Sequence, residues 1–192
     1  MHQSRFSDLY PQSYPHIWLM TDARNDAMLE KSIKALPRGS GIVFRHYHLS
    51  PDNRHKRFAE VRRWAKRGGH ILLLAGPPST ARLWGADGVH GRQWKKHQTA
   101  GMIHSAPVHD RNEISLANHH GADLFFLSPV FSTRSHPGQR PLSQMQLRRL
   151  VTLCAILHRK PVILLGGMNA RRFQQLAGLG AYGWAAIDGL SF

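Results

Sequence analysis

Residues 160–192, KPVILLGGMNARRFQQLAGLGAYGWAAIDGLSF, set a strand, a Gly-Gly turn, a short helix and a second strand one after another. Pro161 precedes the apolar run 162–165, and Gly166-Gly167 ends it. The run does not alternate, so both of its faces must be buried, as in a parallel strand covered by helices. Asn169 can cap a helix through Arg171, Phe173 and Leu176, which Gly178 and Gly180 then close. Residues 182–187 form the next apolar strand. Glycines at such a strand end leave backbone N–H groups open to a phosphate.

The same unit recurs along the chain. Residues 17–20 form a first strand ending at Thr21-Asp22, followed by a weak helix over 27–36. A second strand covers 41–45, and a helix capped by Ser50 with Pro51 at its first position presents the apolar face Phe58, Val61, Trp64 and Ala65 and is stopped by Gly68-Gly69. Strands follow at 70–74, 86–90, 101–104 and 122–127, the fourth and fifth separated by a basic stretch without clear pattern. Asp110 caps a helix over 111–119, with Glu113 completing an acidic capping box. Ser143 caps what reads as the longest helix, through Leu147, Leu150 and Ile156. Eight short strands separated mainly by helices give an α/β chain, a compact (β/α)8 TIM barrel over 16–192 after a leader, 1–15. Strand eight lies so close to Phe192 that the last helix is expected to be missing or replaced. An open doubly wound sheet is the alternative, but no GxGxxG follows the first strand.

Charge narrows the partners. Lys and Arg number 26 against 11 Asp and Glu, a formal net charge of +15. That field favours anions, phosphorylated metabolites or nucleic acid. The basic residues are scattered over several helices without a nucleic-acid-binding motif, so nucleic acid is not expected as the main partner. No apolar run approaches the roughly 18 residues of a membrane span, and the N-terminus lacks an apolar signal core. The single cysteine, Cys154, sits in an apolar stretch and reads as a buried small residue of a reducing, cytoplasmic protein.

In a barrel the loops after the strands meet at one face. That gathers Asp22, Arg45, His90, His109, Ser128, Thr133, Arg134, Ser135, His136, Gly166, Gly167 and Asp188. The loop SPVFSTRSHPGQR supplies hydroxyls and Arg134 for an oxyanion. Arg45 ends an apolar strand and needs an anion, either a ligand or Asp22. His109 and His90 are the candidates for proton exchange, while His119-His120 at a helix end read as solvent-facing or capping. No zinc spacing, Walker A loop or GxSxG elbow is present.

Three segments, GADGVH at 85–90, GADLFFLSPVFSTRSH at 121–136 and PVILLGGMNARRFQQLAGLGAYGW at 161–184, resemble the thiamine-phosphate synthase and thiazole tautomerase (TMP-TENI) family, as does IWLMTD at 17–22. The resemblance implies a transferase of thiamine biosynthesis that joins a hydroxymethylpyrimidine diphosphate to a thiazole phosphate. It implies pyrophosphate at Arg45, and phosphate binding at Ser132, Thr133, Arg134, Ser135 and His136, with Gly166, Gly167, Ile187 and Asp188 around the thiazole phosphate. Magnesium is expected of the family, but Ala75-Gly76 stand where it has Asn-Asp, and Gly91-Arg92-Gln93-Trp94-Lys95 follow strand four without its acids. No metal ligands are therefore assigned. Val43 and Tyr47 replace a polar and a basic position, and Asp188 replaces a small hydroxyl residue. Arg45, Arg92, Lys95 and Arg134 are the cations that could stand in for the ion. Relatives that isomerise thiazole phosphate need no magnesium and resemble this chain at His109, so tautomerase-like proton transfer is the alternative, beside a non-catalytic phosphate-binding barrel. A homodimer is left open.

Overall fold

The computed structural model describes residues 14–132, 138 and 140–191. Eight parallel strands close into one barrel in chain order. They are β1 (Ile17–Met20), β2 (Gly41–Phe44), β3 (Ile71–Leu74), β4 (Gly88–His90), β5 (Ile103–Val108), β6 (Leu124–Leu127), β7 (Val162–Leu165) and β8 (Gly183–Ala186). The ring closes through Trp18 opposite Ala185. Between them run α1 (Leu29–Ala35), α2 (Pro51–Gly68), α3 (Pro78–Trp84), α4 (Arg111–His119), α5 (Gln144–Thr152) and α6 (Ala170–Gln175). A 3-10 turn, Ala23–Met28, precedes α1, and β4 passes to β5 through turns alone. After β8 comes a 3-10 turn, Asp188–Leu190.

Both faces of the strands are buried, as their unbroken apolar runs require. One face fills the barrel with Trp18, Met20, Val43, Leu73, Phe126, Ile163 and Ala185. The other packs Leu19, Ile42, Phe44, Leu72, Phe125 and Leu164 against the helices. Gly41 is dictated by this packing, because a Cβ there would lie 2.1 Å from the Trp18 ring. Tyr14 is buried in the interior cluster, its carbonyl accepting from the Tyr182 hydroxyl at 2.7 Å. Cys154 is fully buried, and burial pushes its thiol up to about 12.

Three local expectations are corrected. β5 runs two residues later and further than 101–104, because His104 and Ser105 are buried inside the barrel wall. The longest helix is α2, not the one after Ser143; α5 ends at Thr152 and continues only as a π-helical turn, Leu153–Leu157. Ser50 holds the N-cap position of α2 but makes no side-chain capping bond.

Candidate functional site

The strand-to-helix loops enclose a cavity of about 380 Å³ at the C-terminal mouth, lined by Arg45, His109, Ser128, Ser132, Gly166, Gly167, Asn169, Arg172, Ile187 and Asp188, among others. The turn after β7 and the loop after β6 are stitched together. Val130 N–H donates to Leu165 O and Phe131 N–H to Gly166 O, each at 3.0 Å. Gly166 and Gly167 have φ of +103° and +61°, conformations glycine adopts without strain. The approach is also close: a Cβ on Gly166 would lie 3.0 Å from Pro129 Cα, and one on Gly167 2.9 Å from Ser132 O. Thr133, Arg134, Ser135 and His136 fall outside the described residues.

Asn169 caps α6 by accepting from Arg172 N–H at 2.9 Å. The Arg172 guanidinium donates to Gly167 O and lies 4.7 Å from the Phe131 ring centroid, so it braces the glycine turn against the neighbouring loop. Its place in the cavity wall went unread in the sequence, where it counted only as one of many scattered cations.

Arg45 lines the cavity and also makes the internal bridge that was its alternative partner. Its Nη2 donates to Asp22 Oδ2 at 2.5 Å and its Nε to Thr21 O at 3.0 Å. Asp22 is shared with Arg24 at 3.0 Å, and Arg24 reaches Asp188 at 3.6 Å, giving an alternating row Arg45–Asp22–Arg24–Asp188. Burial works to raise the Asp22 carboxyl, but Arg24 and Arg45 outweigh it and hold it below its ordinary value. Asp188 thus faces the cavity with a cation beside it, which offsets its repulsion of a phosphate.

A second network fixes the Arg45 backbone. His46 Nδ1 lies 2.7 Å from Thr21 Oγ1, and His46 Nε2 lies 2.7 Å from Asp26 Oδ1, which also accepts from Arg57 Nε at 2.8 Å. Burial raises the Asp26 carboxyl, but His46 and Arg57 outweigh it, so it stays ionised. An ionised Asp26 requires the proton on Nε2, so Nδ1 accepts from the Thr21 hydroxyl. That hydroxyl in turn accepts from Arg45 N–H at 3.0 Å. His46 holds a left-handed φ of 36° in this network.

His109 Nδ1 lies 2.8 Å from Glu113 Oε2, which also accepts from His109 N–H at 2.7 Å. Glu113 therefore clamps the residue before the cap, whereas a standard capping box would bond Asp110 N–H. Arg92 pairs with the other Glu113 oxygen. Burial raises the Glu113 carboxyl, and the bonds from His109 and Arg92 overcome it and hold it low. With Nδ1 engaged, Nε2 is the ring nitrogen of this cavity-lining histidine left to act on a ligand.

His90 is corrected. It lies under the mouth, with Nδ1 2.9 Å from Ser105 Oγ and its ring edge-on to Phe126 at 5.0 Å. Burial, with Arg45 and His104 adding to it, pushes its pKa down to about 3, so it stays neutral and is no proton carrier near pH 7. His120 is held by the Arg92 carbonyl at 2.8 Å.

The positions that would carry the magnesium acids do not fit that ion. Ala75 and Gly76 follow β3, and the space beside them holds a guanidinium: Arg54 Nη2 donates to Ala75 O at 2.8 Å. Among the described residues no cluster of His, Cys, Asp and Glu has metal-binding geometry. Magnesium demands hard oxygen ligands, which these residues lack. Of the cations that could replace it, Arg92 is committed to Glu113, Lys95 is exposed, and neither lines the cavity.

The family described as thiamine monophosphate synthase matches residues 17–190. The chain is 29% identical over 183 residues to a protein of Aquifex aeolicus named "Putative thiamine-phosphate synthase 2", covering 91% of this chain and 96% of that one. It is 26% identical over 166 residues to a thiamine-phosphate synthase of Caldicellulosiruptor saccharolyticus, covering 81% and 69%. Among solved structures, a thiamine phosphate pyrophosphorylase from Pyrococcus furiosus has a TM-score of 0.71 at 19% identity, covering 90% of this chain and 85% of that one. No helix among the described residues is long and apolar enough to cross a membrane.

Proposed function

Because the chain belongs to the thiamine monophosphate synthase family, we propose that it joins a hydroxymethylpyrimidine diphosphate to a thiazole phosphate at its C-terminal mouth. The observation that carries this reading is the meeting of the Gly166-Gly167 turn, Ser132 and Arg45 on one cavity of about 380 Å³. The thiazole phosphate takes the glycine turn, where bare Cα atoms let backbone N–H groups and the Ser132 hydroxyl reach its oxygens. Ile187 and Asp188 close that end, with Arg24 compensating the Asp188 charge. Arg45, directly after β2 on the same rim, is held in place through Thr21 and faces the diphosphate.

The reaction breaks the bond between the pyrimidine methylene carbon and the diphosphate oxygen, and the electron pair leaves with pyrophosphate. The thiazole nitrogen lone pair forms the new C–N bond, giving the thiazolium with no proton transferred. Cations that neutralise the departing oxygens lower this barrier. The reading calls on phosphorylated small molecules alone and suits a cytoplasmic enzyme. Its test is an assay of both substrates with the purified protein, in magnesium and in excess chelator, scoring thiamine phosphate and pyrophosphate together. Equal formation of the two products supports the assignment; a folded protein that forms neither under both conditions refutes it.

The His109–Glu113 contact favours one second reading. A histidine with one nitrogen fixed by a carboxylate and the other turned to a cavity is arranged for proton transfer, and thiazole tautomerisation is the family's version of it. Thiazole tautomer conversion lost in His109→Ala, with thiazole phosphate affinity kept, supports that role; unchanged conversion refutes it.

A further inference from the structure

Ala75 and Gly76, which stand where magnesium acids are expected after β3, instead flank a cation that no carboxylate answers among the described residues. Arg54 projects from the first turn of α2 across the ends of two strands. Its Nε donates to Arg45 O at 2.9 Å and its Nη2 to Ala75 O at 2.8 Å. The Phe44, Tyr47 and Trp84 ring centroids lie 5.6, 5.3 and 5.8 Å from its central carbon. These contacts hold the guanidinium in one orientation.

Three other arginines on or beside this rim are neutralised, Arg45 by Asp22, Arg57 by Asp26 and Glu60, and Arg92 by Glu113, while Arg172 of the cavity wall is spent on Gly167 O and the Phe131 ring. Arg54, among the described residues, has no carboxylate within the 4.0 Å of an ion pair. A half-buried charge without a counter-ion is unfavourable, and burial does push its pKa below the ordinary value. Its remaining nitrogen, Nη1, lies against the turn after β3, 3.6 Å from where a Gly76 Cβ would stand. A metal ion arriving there would add to the positive charge of Arg54, whereas an oxyanion would relieve it.

We propose that Arg54 is the anion-binding group of this subsite and serves there in place of a divalent metal, its ligand being the diphosphate end of the substrate and the pyrophosphate it releases. The identity of the ligand rests on the function proposed above; the anion subsite itself rests on the guanidinium and its surroundings. Glycine at 76 is part of the device. A carboxylate at that position would supply the missing counter-ion and fill the place of the ligand.

The test is calorimetric titration of inorganic pyrophosphate in excess chelator into the full-length protein, Arg54→Met and Gly76→Asp, with circular-dichroism melts of each. Gly76 has no left-handed φ, and the nearest atoms to an added Cβ lie at 3.4 Å, an ordinary contact, so Gly76→Asp should fold even where Arg54→Met does not. The unaltered protein should bind pyrophosphate without metal, and each folded variant should bind it at least about 10-fold more weakly, the loss of one charge-assisted contact. Thiazole phosphate affinity should stay unchanged in both. Binding that appears only on adding magnesium, or a Gly76→Asp affinity equal to that of the unaltered protein, overturns the proposal. Pyrophosphate binding that depends on Arg54 and Gly76, without any coupling of the two substrates, upholds the subsite and sinks the synthase reading alone.

Discussion

Replacing Gly167 by alanine separates the two duties of the turn after β7. An L-residue held at φ +61° costs roughly 1–2 kcal/mol. The new methyl would lie 2.9 Å from Ser132 O and 3.0 Å from Phe131 Cβ, so the loop after β6 must retreat. Strain and displacement together cost about 2–3 kcal/mol, within the range for a single strained backbone site. For a chain of this size that lowers Tm by roughly 4–12 °C. Gly39→Ala is the control. Its φ of +77° imposes the same left-handed strain, but among the described residues nothing lies within 4 Å of an added Cβ, and it precedes β2 at the other end of the barrel. Both variants should melt earlier. Only Gly167→Ala should lose thiazole phosphate affinity, by about 10-fold, since only there does the strain reach the cavity wall. Equal affinity in the two variants would show that the glycine turn shapes the barrel and does not hold the phosphate.

Other consequences follow from burial and charge. His90 has a folded pKa of about 3 against an unfolded value near ~6.5, so the unfolded chain binds its proton first as pH falls. Its contribution to stability is complete above that unfolded value and drains away between it and about pH 3; His90→Gln, measured by urea unfolding across this window, should flatten the slope. The carboxylates Asp22, Asp26 and Glu113 are also held below their ordinary values, so their contribution is complete above about pH 4 and is lost as pH falls through their lowered folded values. Acid titration of Asp26→Asn should show a smaller loss there than the unaltered protein. Cys154, fully buried with its thiol pushed up to about 12, should resist a thiol reagent at pH 8 and react fully in denaturant; rapid native reaction would contradict the packing of α5 and the turn after it.

Much of the barrel could be read locally. Strands such as 124–127 and 162–165 announce themselves by unbroken apolar runs, because helices cover one face and the barrel interior the other. β5 was harder. His104, Ser105 and Pro107 argue against a strand, yet His104 and Ser105 are buried in the wall, His104 with Nε2 2.7 Å from Gly91 O, and Pro107 pairs in register with Phe126. The helix after Ser143 was over-read, because the apolar positions Leu147, Leu150 and Ile156 run on past Thr152, where the chain continues only as the π-helical turn Leu153–Leu157.

The site divides the same way. Gly166-Gly167 could be found because the constraint on φ is written into the residue type. Arg54 could not, since its meaning depends on α2 folding back over β2 and β3 and on which carboxylates end up elsewhere. The Thr21–His46–Asp26 chain likewise brings together residues from two strand ends and a turn, which no spacing rule joins.

The account's central claim is that negatively charged oxygens are held at one rim by a glycine turn and fixed cations. A crystal soaked with thiazole phosphate and pyrophosphate, in chelator, tests it most directly. The expected result is the thiazole phosphate within hydrogen-bond reach of Gly167 and Ser132, and pyrophosphate against Arg45 and Arg54 with no metal between. Phosphate density away from the Gly167 turn, with Arg45 and Arg54 contacting neither ligand, would contradict it.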